Sequence, residues 1–256
     1  MNSGQIDVKG RTVLVTGASS GLGARFATVL AAGGANVVLA ARRVDKLLQL
    51  RDDIERSGAR ALAVEMDVSD ERSTQRAYDT AEQTFGAVDT IIANAGMNVE
   101  GPVIDVDVTE LDALFAVNVR GVFLTVREGA RRLFSAPTER KQGRVVIVSS
   151  VTASAIAPGL ALYSASKAGV LQLGRVLARE WVNRGVNVNV LCPGYIETDI
   201  NSEWFQTDAG KRQIQRWPRK RLMDIASLDS ILLYLSSDAS SHVTGSVFTV
   251  DDGQTL

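Results

Sequence analysis

The sequence predicts an α/β protein whose parallel sheet is covered by helices on both faces. Three observations carry this. Short apolar runs rich in branched residues, such as Thr12 to Val15 and Val145 to Val148, suit strands buried on both sides. They alternate with longer stretches of helical spacing, the mark of βαβ units and hence of a parallel sheet. The first strand also runs directly into Thr16-Gly17-Ala18-Ser19-Ser20-Gly21-Leu22-Gly23 and then a helical pattern. Glycines between a strand and a helix let backbone approach a phosphate at the helix N-terminus, which is the setting of a doubly wound, Rossmann-type sheet.

Composition sets the limits. With 256 residues, 45% hydrophobic and 22% charged, the chain is ordinary globular material and long enough for one α/β domain spanning 1–256. A net charge of −1 gives no overall attraction to nucleic acid or to an anionic membrane, so recognition must be local. The start, MNSGQIDVKG, lacks the apolar core of a secretory signal, and no stretch reaches the roughly 20 apolar residues of a bilayer span. A cytoplasmic protein is expected. Cys192 is the only cysteine and His242 the only histidine, so neither an intrachain disulfide nor a structural zinc site is expected, and Cys192 reads as a packed thiol.

Taken in order, the glycine turn has the spacing Gly-x-x-x-Gly-x-Gly, and the helix after it carries Phe26, Val29 and Leu30 on one face. Ala35 to Ala41 is the second strand. A carboxylate roughly 20 positions beyond the glycines would bind the 2′-hydroxyl of NAD; here Ala41 stands in that place, followed by Arg42 and Arg43. Arg42 is placed to meet a 2′-phosphate with paired charge-assisted hydrogen bonds, so NADP(H) is favoured over NAD(H).

Lys46 to Arg56 reads as a helix, Ala61 to Val64 as a third strand leading to Asp67-Val68, and Val88 to Ala93 as a fourth ending in Asn94-Ala95-Gly96. Thr109 to Phe134 has helical spacing throughout, with Asn118 in its middle as a source of a kink. Val145 to Val148 delivers Ser149 and Ser150, whose side chains point to opposite faces if the strand geometry continues. After a loop with Pro158 and Gly159, Tyr163 and Lys167 stand four apart and so project from one helix face. Alone, that spacing also fits an ordinary surface pair. Val186 to Leu191 is the sixth strand, followed by Pro193-Gly194-Tyr195-Ile196-Glu197-Thr198. Asn201 to Lys220 is irregular, with Trp204, Phe205 and Trp217; Ile225 to Ser236 is helical and Val247 to Val250 is the last strand.

These landmarks, in this order, resemble the short-chain dehydrogenase/reductase family: TGASSGLG at 16–23, Asp67, Asn94-Ala95-Gly96, Asn118, Ser150, Tyr163, Lys167, Pro193-Gly194 and Thr198. The resemblance covers nearly the whole chain. It implies hydride transfer between a nicotinamide cofactor and a carbonyl or secondary alcohol, with Tyr163 as acid/base, Ser150 on the substrate oxygen, Lys167 beside the phenol and Asn118 holding a water near Lys167. It also implies a cofactor site made of Gly17, Ser19, Ser20, Gly21, Leu22, Gly23, Asp67, Val68, Asn94, Ala95, Gly96, Pro193, Gly194, Ile196 and Thr198, with Arg42 and Arg43 at the ribose and Tyr163 and Lys167 shared with catalysis. A substrate lid at about 195–220 and a homotetramer follow from the same likeness. Some NADP-using relatives carry a basic residue just before the middle glycine, where this chain has Ser20.

An ammonium about 4 Å from a phenolate contributes up to roughly 4 kcal/mol at an effective dielectric near 20, about three pKa units of acidification. Lys167 is therefore expected to lower the Tyr163 pKa. Substrate contacts are expected from Ser150, Thr152, Tyr163 and Tyr195, with Met97, Val99, Leu160 and Trp204 completing an apolar pocket that favours bulky, uncharged ketones or alcohols. Lys141 and Arg184 stand where related 3-oxoacyl-carrier reductases have basic residues, which keeps that activity as an alternative. A catalytically silent NADP(H)-sensing protein is the non-enzymatic one.

Overall fold

A computed structural model describes residues 6–135, 142–198 and 201–256. Among the described residues, seven strands form one sheet: β1 Thr12–Thr16, β2 Asn36–Ala41, β3 Arg60–Glu65, β4 Thr90–Ala93, β5 Gly143–Val148, β6 Val186–Pro193 and β7 Val247–Val250, in the order β3-β2-β1-β4-β5-β6-β7. Every pairing is parallel, with Val13 level with Val37 and Thr90, and Val146 level with Asn189. The Rossmann-type, single-domain expectation is met.

The strands are apolar throughout because alternate residues feed two cores. Val13 and Val15 of β1 join Phe26, Leu30, Leu39 and Leu232 on one face, while Leu14 joins Val38, Tyr78 and Ile147 on the other. The first face is covered by α1 Gly21–Ala32, α2 Val44–Arg56 and, from the far end of the chain, α9 Asp229–Ser236; the second by α3 Glu71–Phe85, α5 Val122–Ser135 and α6 Ala161–Trp181. Strand β7 alternates between exposed and half-buried residues, as an edge strand does.

Two expectations change. The single helix over 109–134 is α4 Val108–Phe115 and α5 joined by a widened π turn, Ala116–Gly121, centred on Asn118. A π turn of this kind marks functional positions in helices. The segment 201–220 is not irregular: it holds α7 Ser202–Gln206 and α8 Asp208–Arg216. The α8 sequence, DAGKRQIQR, has too few apolar residues for periodicity to reveal it. Its start is written instead in Thr207, whose hydroxyl accepts from Gly210 N at 3.0 Å.

The order reverses between β1 and β4, so the crevice for a ligand opens at their carboxyl ends. All the landmark loops leave the sheet there.

Candidate active site

A cleft of about 1110 Å³ lies at that crevice, somewhat above the usual range for one small ligand. Its first half is built by the glycine turn. Gly17 has φ +69°, and a Cβ on it would stand 2.9 Å from Ala95 Cα; a Cβ on Gly23 would stand 2.2 Å from Gly17 O. All three glycines line the cleft; Gly17 and Gly23 are also needed for packing, while Gly21, with φ +52°, has only Thr198 nearby at 3.7 Å.

Thr16, to which sequence reading gave no role of its own, ties the turn to β4. Its hydroxyl accepts from the backbone N of Asn94 and Ala95 at 3.0 and 3.1 Å, and its carbonyl accepts from Asn94 Nδ2 at 2.9 Å. Ser20 precedes α1 without capping it by its side chain, and no acidic residue lies in the first turn. The positive end of a twelve-residue helix is thus left open to an anion. The Ser20 hydroxyl accepts instead from Arg43 Nη2 at 2.6 Å, and the same guanidinium reaches Ser19 Oγ at 2.9 Å. Arg42 lies exposed on the cleft wall beside it.

Ser19 and Leu22, Asp67 and Val68, Gly96, and then Pro193, Gly194, Ile196 and Thr198 all line the same cleft. Asp67 also forms a turn, its Oδ1 accepting from Ser69 N and Oγ at 2.9 and 2.7 Å, and these bonds hold its carboxyl below the usual range. The amide carbonyl of Asn201 accepts from Thr198 N at 2.8 Å and fixes Thr198 opposite the glycines. A dinucleotide fits this half: glycines free of Cβ atoms, an uncapped helix end and two arginines at the far rim.

In the second half, β5 hands over to the loop at Ser149. As the alternation predicts, Ser149 turns away, donating to Lys167 O at 2.8 Å, while Ser150 faces the cleft. Ser150 Oγ accepts from Thr152 N and Oγ1 at 3.2 and 3.1 Å and lowers the pKa of the Tyr163 phenol against the effect of burial. Thr152 therefore orients Ser150 with its hydroxyl while lining the wall. Lys167 is buried, its Nζ donating to Val148 O at 2.9 Å and standing 5.6 Å from the centre of the Tyr163 ring.

The expected acidification of Tyr163 is overturned. Burial outweighs every other influence and pushes the phenol up to about 12, with Ser150 opposing it; burial likewise pulls Lys167 down to about 8. The sequence estimate left out desolvation, which disfavours both charged forms.

Asn118 does not line the cleft. It is fully buried behind it, its Oδ1 accepting from Met97 N at 2.8 Å and its Nδ2 donating to Met97 O and Ser166 Oγ at 2.9 and 3.1 Å. Both Asn118 Oδ1 and Lys167 Nζ lie about 3.5 Å from where a Gly96 Cβ would be. A side chain at Gly96 would push into both.

Toward the mouth, Met97, Leu160, Tyr195 and Trp204 line the wall as expected; Val99 does not. Tyr195 is stacked on Trp217 at 5.0 Å and meets Phe205 edge-on at 6.1 Å, so Phe205 and Trp217 serve packing that seats α7 and α8. The polar residues Arg212, Gln213 and Arg216, which sequence reading missed, face the cleft from α8. Arg184 lies against the Phe134 ring at 4.1 Å and does not line the cleft, and Lys141 falls outside the described residues. Among the described residues no cluster could hold a metal ion, and no helix is long and apolar enough to cross a membrane.

The family model for short chain dehydrogenases matches residues 11–209. A 3beta-hydroxysteroid dehydrogenase from Eggerthella lenta is 37% identical, over 98% of this chain and 95% of the relative. The oxidoreductase UcpA of Salmonella typhimurium is 34% identical, over 96% and 95%. Among solved structures, a gluconate 5-dehydrogenase from Burkholderia cenocepacia, in complex with NADP and tartrate, superposes with a TM-score of 0.93 at 29% identity, covering 100% of this chain and 99% of the other.

Proposed function

We propose that this chain, which belongs to the short-chain dehydrogenase family, interconverts a ketone and a secondary alcohol with NADP(H), using Tyr163 as the acid and base. One observation carries the reading: buried Ser150 and Lys167 and half-buried Tyr163, from the loop after β5 and from α6, line one wall of the cleft whose other half suits a dinucleotide.

Bound NADP(H) supplies or accepts the hydride at the carbonyl carbon. Everything else falls to the chain. The Ser150 hydroxyl, oriented by Thr152, holds the substrate oxygen. In reduction Tyr163 gives its proton to that oxygen; a phenol pushed up to about 12 is protonated at neutral pH and ready to donate. In oxidation the phenol must first lose its proton, and the Lys167 ammonium, anchored on Val148 O, stabilises the negative oxygen that results. Asn118 acts as a positioning residue, holding Met97 and Ser166 so that the wall behind Lys167 is fixed.

NADP(H) is favoured over NAD(H) because Arg42 and Arg43 stand where a carboxylate would otherwise receive the 2′-hydroxyl. Arg43 also brings a cation to Ser20, the position where some NADP-using relatives have a basic side chain. Structural relatives solved with NADP support this choice. The lid at about 195–220 rests on the aromatic seat at Tyr195, and the homotetramer rests on the family alone. Relatives include a 3beta-hydroxysteroid dehydrogenase, a glucose 1-dehydrogenase and a gluconate 5-dehydrogenase, so their names do not select a substrate. The 3-oxoacyl-carrier alternative gains nothing from Arg184, which is engaged by Phe134.

The test is NADPH and NADH oxidation with a panel of ketones, alongside Tyr163→Phe. The reading expects NADPH-linked turnover that the variant loses by at least about a hundredfold, with NADPH affinity nearly unchanged. Undiminished turnover by Tyr163→Phe would refute it.

A further inference from the structure

We infer that the natural substrate carries an oxyanion, a carboxylate or a phosphate ester, some bonds away from its reacting carbonyl, and that Arg212 and Arg216 of α8 receive it. This rests on the reading of the cleft as a carbonyl-reducing site and narrows its substrate class.

The placement comes from helix geometry. Ala209, Arg212, Gln213 and Arg216 recur at spacings of three and four, so they share one face of α8, and all four line the cleft. The helix is seated firmly: a Cβ on Gly210 would lie 2.2 Å from Trp204 O, and Trp204 Nε1 donates to Gln213 Oε1 at 2.8 Å. The Gln213 carbonyl oxygen is thereby committed to Trp204, and the two guanidinium groups are the cationic donors this face offers to a ligand.

Their company points the same way. Of the four arginines between 212 and 221, Arg219 and Arg221 are both paired with Asp252, whereas Arg212 and Arg216 have no ion pair among the described residues. Like charges four apart on a helix repel, and an anion shared between them converts that cost into two forked, charge-assisted contacts. The acidic residues lining the cleft among those described are Asp67, engaged by Ser69, and Glu100, whose Oε1 accepts from Asn98 Nδ2 at 2.7 Å. The expected preference for uncharged ketones came from apolar residues alone and missed these cations.

The experiment compares straight-chain oxo acids of increasing length, their methyl esters and dihydroxyacetone phosphate as substrates of the wild type, Arg212→Ala, Arg216→Ala and the double variant. The inference expects one anionic series to exceed the esters in kcat/KM by about tenfold or more, carboxylate or phosphate being decided by which series leads. It expects the double variant to lose that advantage, with ester turnover and NADPH KM within about twofold of wild type. Equal turnover of acids and esters overturns it. So does a double variant whose main defect is in NADPH KM, which would assign the arginines to the cofactor, or a Glu100→Gln variant that reproduces the double variant, which would assign them to Glu100. Calorimetric titration of the NADP-loaded protein with the same acids and esters separates the two levels: if no ketone is turned over but the acids bind and the double variant does not bind them, the proposed reaction falls and the oxyanion site stands; if neither binds, both fall.

Discussion

The Lys167 ammonium donates to the Val148 carbonyl at 2.9 Å and sits 5.6 Å from the centre of the Tyr163 ring. It is held in place by the strand, not by the phenol. The consequence is a directional pH dependence. With the phenol pushed up to about 12 by burial, the protonated form dominates at neutral pH, so kcat/KM for ketone reduction should be level from about pH 6 to 9. Alcohol oxidation needs the ionised form, so its kcat/KM should rise close to tenfold per pH unit up to about pH 8, where Lys167 begins to lose the charge that stabilises the phenolate, and less steeply above that. Initial rates in both directions over that range test this; an oxidation rate level from pH 6 upward would mean that the cation wins over burial.

Lys167 makes a second prediction, on stability. Its folded pKa of about 8 lies below the ordinary 10.5, so between these values the unfolded chain holds more protons and stability rises with pH. The cost of burying the ammonium is fully present below about pH 8 and gone above about 10.5. Lys167→Met should therefore be more stable than wild type at pH 7, by about 2 kcal/mol after allowing for the lost bond to Val148 O, and the gain should vanish by pH 10.5. Thermal unfolding of both proteins at pH 7 and 10.5 reads the difference, together with a collapse of turnover. A Met variant less stable than wild type at pH 7 would contradict the sign.

The two arginines after β2 should separate by cofactor. Arg42 is exposed on the cleft wall with no bond to the turn, so Arg42→Ala should raise the NADPH KM by about tenfold to a hundredfold while leaving NADH nearly unchanged. Arg43 grips the Ser19 and Ser20 hydroxyls, so Arg43→Ala should weaken both cofactors by loosening the glycine turn. Steady-state KM values for NADPH and NADH in the two variants check this. An Arg42→Ala protein that loses NADH as readily as NADPH would count against a 2′-phosphate contact.

Strands were the legible part of the sequence, because burial on both faces leaves an apolar run that polar helices and glycine turns cannot imitate. All seven are present, with ends shifted by up to two residues, at Thr90, Gly143 and Pro193. Residue types at fixed spacings likewise led to the cleft, with Asn118 the exception, since a buried amide gives no sign of whether it faces a ligand or the chain. What could not be read was the outcome of opposing forces and the roles of ordinary residues. The Tyr163 pKa depends on how dry its site is, which spacing does not encode. Thr16 and Ser166 are common hydroxyls that matter only through the partners the fold brings to them, as does the hold of Thr152 on Ser150. Arg212 and Arg216 lie on a helix whose polarity concealed it.

The C-terminal tail supplies the last prediction. Gln254, buried just before the end of the chain, accepts from Tyr195 N at 2.6 Å and donates to Tyr195 O and Arg221 O at 3.2 and 3.3 Å. Both backbone groups of Tyr195 are thus held by one side chain, and a Cβ on Gly194 would stand 2.4 Å from Gln254 Oε1, so the approach is close. Since Tyr195 carries the stack with Trp217 and Phe205, the tail acts as a strut for the substrate side of the cleft, leaving the glycine turn untouched. Gln254→Ala takes the partner from the Tyr195 N–H, while Tyr195 O keeps its bond from Met223 N at 3.0 Å, at a cost of about 1–3 kcal/mol. It should raise the ketone KM by about tenfold and change NADPH affinity little. Gln254→Glu, which keeps the acceptor for Tyr195 N but loses the donor, should fall between. Tryptophan fluorescence reports the seating of Trp217 directly, and a Gln254→Ala protein with native fluorescence and unaltered ketone KM would remove the strut from the account.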